Sequence, residues 1–364
     1  MPQHPRYTAD FSLALINRTG AFHICNDLLR ELPQYFADVR YWRLPFQPQP
    51  TLLRKVAGRA MLMELRTLGD SQVLARSAPE NPVLFMDPLY VLRTELRKED
   101  IVICHDVGPI THPDLFEPET VRTYHIAYDK IAKVNPGIVT VSDFSLNEYQ
   151  KLYGAGSRFI VVARQYVRLG IAKETTAPVE GVNKPFLLTI GALEKRKNHL
   201  RVIEAYRRSG LFEQGVNYVY GGARTPHAAE VMEAARATPG VIPLDYVSED
   251  QLRWLFRNAA GFVLPSLLEG FGLPPLEAAQ EGLVSVVSAN TVQPESTGGN
   301  AIIVDPYDPD AIAEGMKRLV AMSPEEKADI VAKARAHASS LSYERYIRGF
   351  EKILAANDKP AEPI

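Results

Sequence analysis

Only two cysteines, Cys25 and Cys104, occur in the 364 residues, far apart and each beside an apolar residue. This excludes a disulfide framework or a cysteine-rich zinc site and fits a reducing compartment. Long apolar runs are missing too. Nowhere do about 18 apolar residues follow one another, so no membrane-spanning helix is expected. The opening MPQHPRYTADF carries proline and charge where a secretory leader needs an apolar core, which points to a cytoplasmic location. Nor is there an excess of one charge. Lys and Arg number 41 against 43 Asp and Glu, for a net charge of -2, and residues 1–180 hold 21 basic and 20 acidic side chains. A nucleic-acid binder concentrates cations against phosphates, and neither half does so. Hydrophobic residues at 46% and charged residues at 23% exclude disordered, collagen-like and coiled-coil chains.

What is present is alternation. Apolar, β-branched runs at 11–17, 100–106, 137–143, 159–163, 186–191, 217–222, 240–247, 261–266, 284–288 and 301–305 read as buried parallel strands. Amphipathic stretches at 20–33, 198–209, 226–237, 249–259, 274–281 and 309–322 read as the helices between them. The expected class is α/β, with two doubly wound parallel sheets. KETTAPVEGVNKP (173–185) has no helical or strand period and reads as an interdomain linker. Near the end, Tyr343, Tyr346, Ile347, Phe350, Ile353 and Leu354 fall on one helical face after Ser342, a plausible N-cap. The tail NDKPAEPI is expected to fray.

The most informative stretch is PSLLEGFGLPPLEAAQEG (265–282): a short strand, a glycine turn, and a helix opening at Pro274 or Pro275. Gly270 and Gly272 allow close backbone approach, and the helix start offers N–H groups to an anion such as a diphosphate. Glu269 and Glu277 bracket the turn, with seven residues between them, and can touch different parts of one bound molecule. Carboxylates accept vicinal hydroxyls of a ribose or sugar, although acids also favour a helix start through its dipole alone. Lys195, Arg196 and Lys197 follow Gly191 at the end of another expected strand. A departing nucleoside diphosphate needs such cations. Lys197 is expected to be exposed, so that its loss leaves the fold intact.

These residues resemble the family-4 retaining glycosyltransferases, a GT-B family with an E-x7-E motif written EGFGLP…E, here Glu269, Gly270, Phe271, Gly272, Leu273, Pro274 and Glu277. LTIGALEKRKNHLRVIEAY (188–206) looks like the family's strand–turn–helix, DYVSEDQLRWLFRNAAGFVLPS (245–266), with Val247, like its base-binding segment, and AIIVDPYDPDAIAEGM (301–316) like its closing element. In the N-terminal half the likeness is limited to VICHDVGPITHPDLF (102–116), SDFSLNE (142–148) and Gly20. The resemblance implies two Rossmann-like domains facing a cleft, residues 1–178 for the acceptor and 179–340 for the nucleotide sugar, with a helix at 341–356 crossing back. It implies that Glu277 holds the ribose, that Glu269 and His105 contact the transferred sugar, and that Lys197, with Arg196, neutralises the diphosphate. Asp106 could equally orient the imidazole; His23, Gly20 and His112 are weaker acceptor-side candidates. Many members place an arginine shortly after the turn glycine, where this chain has Ala192 and Leu193.

The implied activity is retaining transfer of a sugar from a nucleotide sugar to a glycan or lipid-linked acceptor of surface polysaccharide. The wording is most like that of mannosyltransferases, which puts GDP-mannose ahead of UDP-sugars. The rivals are a sugar-nucleotide epimerase or hydrolase on the same fold, and a catalytically silent binding subunit. No metal or other cofactor is expected. Asp308-Pro309-Asp310 spells the D-x-D that binds divalent metals in other glycosyltransferases, but it stands before a helical pattern, where capping explains it. No G-x-G-x-x-G follows the first expected strand, which disfavours a dehydrogenase. Residues 51–76 hold Arg54, Lys55, Arg59, Arg66 and Arg76 against Glu64 and Asp70, with leucines and methionines between. Such a helix suits the inner face of an anionic membrane as well as an ordinary core.

Overall fold

The computed structural model describes residues 6–16, 20–47, 51–67, 79–167, 175–183, 185–245 and 247–356. The chain divides into two compact units, one running to Gln165 and taking in the helix from Tyr343, the other spanning Tyr166–Ser342. Parts of two expected segments, 68–76 of the basic stretch and 173, 174 and 184 of the linker, lie outside the described residues, as does the tail from Asn357.

The first unit runs β1 (Tyr7–Asp10), α1 (Gly20–Glu31), β2 (Phe36–Arg40), α2 (Thr51–Thr67), β3 (Val83–Phe85), β4 (Ile101–Cys104), α3 (Gly108–Thr111), α4 (Pro118–Val134), β5 (Gly137–Thr140), α5 (Asp143–Tyr153) and β6 (Phe159–Val162). Its sheet has the order β2-β1-β3-β4-β5-β6, parallel throughout. Of the apolar run at 11–17, the described residues 11–16 are not a strand. Asp10 Oδ1 accepts the Ser12 N–H and turns the chain, and Ser12–Leu15 form a buried 3-10 turn. The strand lies just before it in YTAD, whose four residues are all buried. A four-residue apolar run fits either a strand or a buried turn, and the Asp10 hydrogen bond decides between them.

The second unit runs β7 (Phe186–Ile190), α6 (His199–Ser209), β8 (Asn217–Gly221), α7 (Ala228–Arg236), β9 (Val241–Leu244), α8 (Glu249–Asn258), β10 (Gly261–Leu264), α9 (Leu273–Gln280), β11 (Ser285–Ser288), α10 (Gln293–Ser296), β12 (Ile302–Val304), α11 (Pro309–Ala321) and α12 (Pro324–Ser340). Its parallel sheet has the order β12-β11-β10-β7-β8-β9. Alternate strand residues feed two cores. Leu187, Tyr218 and Val263 face one with α6 and α11, whereas Leu188, Val219 and Phe262 face the other with α8. Burial on both faces is why these strands read as continuous apolar runs. Ser248 and Ser323 start α8 and α12 with reciprocal capping boxes. Thr175 and Ala177 hydrogen-bond to Asp250 of α8, so this part of the expected linker is tied to the second unit.

The last helix, α13 (Tyr343–Ala355), packs in the first unit. Tyr346, Phe350, Ile353 and Leu354 are buried, and Arg30 of α1 donates to the Tyr343 hydroxyl at 2.9 Å. Among the described residues, no helix is long and apolar enough to cross a membrane.

Candidate functional site

In a doubly wound sheet, ligands bind beyond the carboxyl ends of the strands where the winding reverses. In the second unit that point lies between β7 and β10, which are neighbours in the sheet with chain running outward on either side. Lys197 follows β7 and Glu269 follows β10. The Lys197 ammonium donates to Glu269 Oε1 at 2.6 Å, and Arg196 Nη1 donates to Glu269 Oε2 at 3.2 Å. Ser266 Oγ adds a hydrogen bond to Oε1 at 2.8 Å. Lys197 is 7% exposed and Glu269 4%, so the expectation of an exposed lysine is wrong: Lys197 lies beneath the turn, its side chain beside Gly191 and its charge satisfied by the carboxylate.

Burial alone raises a carboxyl's pKa, but the charges of Lys197 and Arg196 and the hydrogen bonds from Lys197 and Ser266 outweigh it and hold Glu269 below the usual carboxylate range. Burial, with Arg196 nearby, pulls the Lys197 ammonium below its ordinary value in spite of Glu269. The cluster is one buried anion between two cations, with Arg196 Nε also on Glu194 at 2.6 Å. Displacing Lys197 onto an anionic ligand would free Glu269 Oε1 to accept hydroxyls.

Backbone fixes this geometry. Leu267 N donates to Arg196 O at 2.7 Å, joining the loops after β7 and β10. Asn198, at φ 64°, donates from Nδ2 to Pro265 O at 3.0 Å and Pro306 O at 2.8 Å, tying in the loop after β12. Gly191 N donates to Gly221 O at 3.0 Å and Leu193 N to Ala223 O at 2.9 Å, while a Cβ on Gly222 would collide with the Gly191 carbonyl. Gly272 takes φ 82° immediately before α9, a conformation that favours glycine. Gly270 precedes the buried Phe271, Leu273 opens α9, and Glu277 lies half-buried one turn in. Val247, after β9, packs against the core under α8. Asp308 Oδ1 accepts the Asp310 N–H at 2.8 Å and caps α11, and Asp310 pairs with Arg208. Among the described residues, no cluster of three or more His, Cys, Asp or Glu could hold a metal.

In the first unit the winding reverses between β1 and β3. His105 follows β4, and its Nε2 donates to the Met86 carbonyl at 2.9 Å, which leaves Nδ1 as the ring nitrogen not used in that bond. Asp106 does not orient that ring. Its Oδ1 accepts the Gly108 N–H at 2.8 Å and so shapes the turn into α3. The acid near His105 is Asp87, buried after β3 and absent from the sequence-based candidates. It accepts the Leu89 N–H at 2.9 Å and lies 3.4 Å from the Tyr124 hydroxyl. Burial pushes the Asp87 carboxyl up, opposed by His105. Its only signal in sequence is an Asp-Pro after an apolar triplet. Gly20 opens α1, and His23, half-buried in α1, stands edge-on to Phe22 at 5.1 Å. His112 follows α3, with Nδ1 2.8 Å from the Thr111 hydroxyl.

Comparison with known proteins bears on the family and the fold. Residues 172–337 match the model of the family described as Glycosyl transferases group 1. O-antigen chain mannosyltransferase B of Escherichia coli is 28% identical over 242 residues, 63% of this chain and 63% of that protein. O-antigen chain mannosyltransferase RfbU of Salmonella typhimurium is 25% identical, covering 62% and 61%. Serotype-specific mannosyltransferase WbdA of Escherichia coli is 24% identical over 71% of this chain and 34% of its own. The chain thus matches under two thirds of the length of these relatives. A UDP-forming trehalose-phosphate synthase from Burkholderia xenovorans shares the fold at TM-score 0.59 and 16% identity, over 95% of this chain and 84% of that one. The trehalose-6-phosphate synthase OtsA does so at TM-score 0.61 and 15% identity, over 94% and 83%. The two parallel sheets are the Rossmann-like domains of the GT-B fold, and residues 172–337 are similar to the glycosyl transferases group 1 family.

Proposed function

We propose that the chain is a retaining hexosyltransferase that moves a sugar, mannose from GDP-mannose in the first instance, to a glycan or lipid-linked acceptor of a surface polysaccharide. The observation that carries this reading is the buried Lys197–Glu269–Arg196 cluster at the reversal point of the second sheet, within the stretch matched to the family. The names of the O-antigen relatives support mannose and a polysaccharide product.

In this reading the donor diphosphate takes the Lys197 ammonium and part of the Arg196 charge, aided by the backbone N–H of Leu273 at the start of α9, since Pro274 and Pro275 behind it have none. Glu277 accepts the ribose hydroxyls. Glu269, released from Lys197, accepts hydroxyls of the transferred sugar. As the bond from the anomeric carbon to the diphosphate breaks, its electron pair leaves with the diphosphate. The cations stabilise that charge, and the acceptor hydroxyl attacks from the same face, its proton passing to the departing diphosphate oxygen. His105 contributes Nδ1 to a sugar hydroxyl, and no metal takes part. A thermal-shift screen of GDP, UDP, ADP and TDP tests the donor assignment. A ligand at 100 times its Kd adds about 2.7 kcal/mol of stability, so GDP is expected to raise the melting temperature most. A response to UDP alone would replace the base, and no response to any of the four would remove the donor site.

A further inference from the structure

Helix α2 has two apolar faces and uses one. Gly58, Met61 and Leu65 are buried, and a Cβ on Gly58 would press on the Leu15 carbonyl, so this face lies against the 3-10 turn after β1. Two polar ties hold it there. Arg54 donates to Leu15 O at 3.2 Å, and Glu64 accepts from Trp42 Nε1 at 2.6 Å and from Arg43 at 2.9 Å. The helix therefore cannot turn its other side inward. On that side stand Leu52 at 71% exposure and Val56 at 57% on successive turns and Met63 at 69% two turns further along the same stripe, with Leu53 at 55% beside them. Phe46, at 61%, stands in the segment leading to the helix.

The charges beside the stripe have one sign. Lys55 and Arg59 are both exposed, Lys55 at the edge of the stripe and Arg59 on the turn between Val56 and Met63, whereas Glu64, the acid of this helix, is already paired with Arg43. An apolar stripe bordered by cations, on a helix whose reverse is locked into a folded unit, matches a surface of anionic headgroups over acyl chains. We propose that α2 docks the first unit on an anionic phospholipid bilayer, with Leu52, Val56 and Met63 entering the headgroup boundary and Lys55 and Arg59 on the phosphates.

Flotation of the full chain with extruded vesicles of phosphatidylcholine, with and without phosphatidylglycerol, tests this without donor or acceptor, so it stands or falls apart from glycosyl transfer. The chain is expected to float with the anionic vesicles at low salt and to be released as salt rises. The pair Lys55→Glu and Arg59→Glu is expected to cut that partitioning by more than about ten-fold. The triple substitution Leu52→Ser, Val56→Ser and Met63→Ser is expected to reduce it at every salt concentration. If the triple variant loses its melting transition, the charge-reversal pair, made at two exposed positions, decides alone. Three results would overturn the proposal: no flotation with either lipid; equal flotation with both and no effect of charge reversal; or a dimer in sedimentation equilibrium that the triple variant dissolves, which would assign the face to a second copy.

Discussion

At the carboxyl ends of its strands the second unit surrounds one buried carboxylate with two cations, whereas the first buries Asp10 and Asp87 with Arg93 4.0 Å from Asp10 and a histidine held by a carbonyl. The second arrangement holds two cations that an anion can recruit from their carboxylates. The first offers acceptors and an imidazole and suits a neutral polyol. Two parallel six-stranded sheets thus present opposite chemistry, and the difference lies in the loops at the strand ends, not in the strands themselves.

The sharpest way to break this contrast is Lys197→Ala. Removing one partner of a buried ion pair costs about 3–5 kcal/mol, so the melting temperature is expected to fall. Turnover is expected to drop about 10- to 150-fold, corresponding to a charge-assisted contact of roughly 1.5–3 kcal/mol. The double variant Lys197→Met, Glu269→Gln is expected to recover much of the stability and none of the turnover. Unchanged kinetics in Lys197→Ala would remove the diphosphate role.

The next test divides the two glutamates. Glu277→Ala is expected to weaken nucleoside diphosphate and intact donor alike in calorimetric titration. Glu269→Ala, which removes the competitor for Lys197, is expected not to weaken diphosphate binding while turnover falls. Equal losses for both ligands in both variants would mean that the glutamates do not share the donor in this way. In the first unit, His105→Ala removes a single hydrogen-bonding contact worth about 0.5–1.5 kcal/mol, so a loss of about ten-fold or less in turnover is expected, with little change in melting temperature. A loss as large as that from Lys197→Ala would erase the contrast between the units.

Acidity separates the units by sign. Glu269 is held below the ordinary carboxylate range, so its stabilisation is present above that range and is lost as pH falls through the folded-state value. The melting temperature of the wild type is therefore expected to exceed that of Glu269→Gln at neutral pH and to converge with it on acidification below about pH 4. Asp87 is raised, so the folded state holds its proton longer than the unfolded chain and its contribution declines as pH rises through the folded-state value. Asp87→Asn is expected to gain on the wild type in that direction. Melting curves of both variants across pH check the two slopes. The smallest effect expected is from EDTA, which should leave turnover unchanged, since Asp308 is occupied in capping α11. Loss restored by Mn²⁺ or Mg²⁺ would reverse that.

The fold is legible in the sequence wherever strands are buried on both faces. FLLTI and GFVL read as strands because neighbours on either side demand apolar residues at every position. The edge strand Phe36–Arg40, half exposed and carrying Asp38 and Arg40, has no such run and escapes a reading by hydrophobicity, as does the three-residue Val83–Phe85. The cation turn and both glutamates are visible from spacing. That Lys197 is buried is not, because burial of a lysine depends on a carboxylate 72 residues away. Asp87 is hidden for a related reason: a lone Asp-Pro signals a turn, and only the sheet brings it near His105.

The seam between Gly191 and Gly222 has a consequence for how fast and how cheaply a ligand is taken up. Because the chain after β7 is laced to the chain after β8 as a continuation of the sheet, and Asn198 fastens it to two further loops, the floor of the second unit's site is finished before any ligand arrives. Encounter then needs no local folding. The entropy normally lost in ordering a binding loop has already been spent when the domain folds, and the heat capacity of association reflects only the surface that the ligand itself covers.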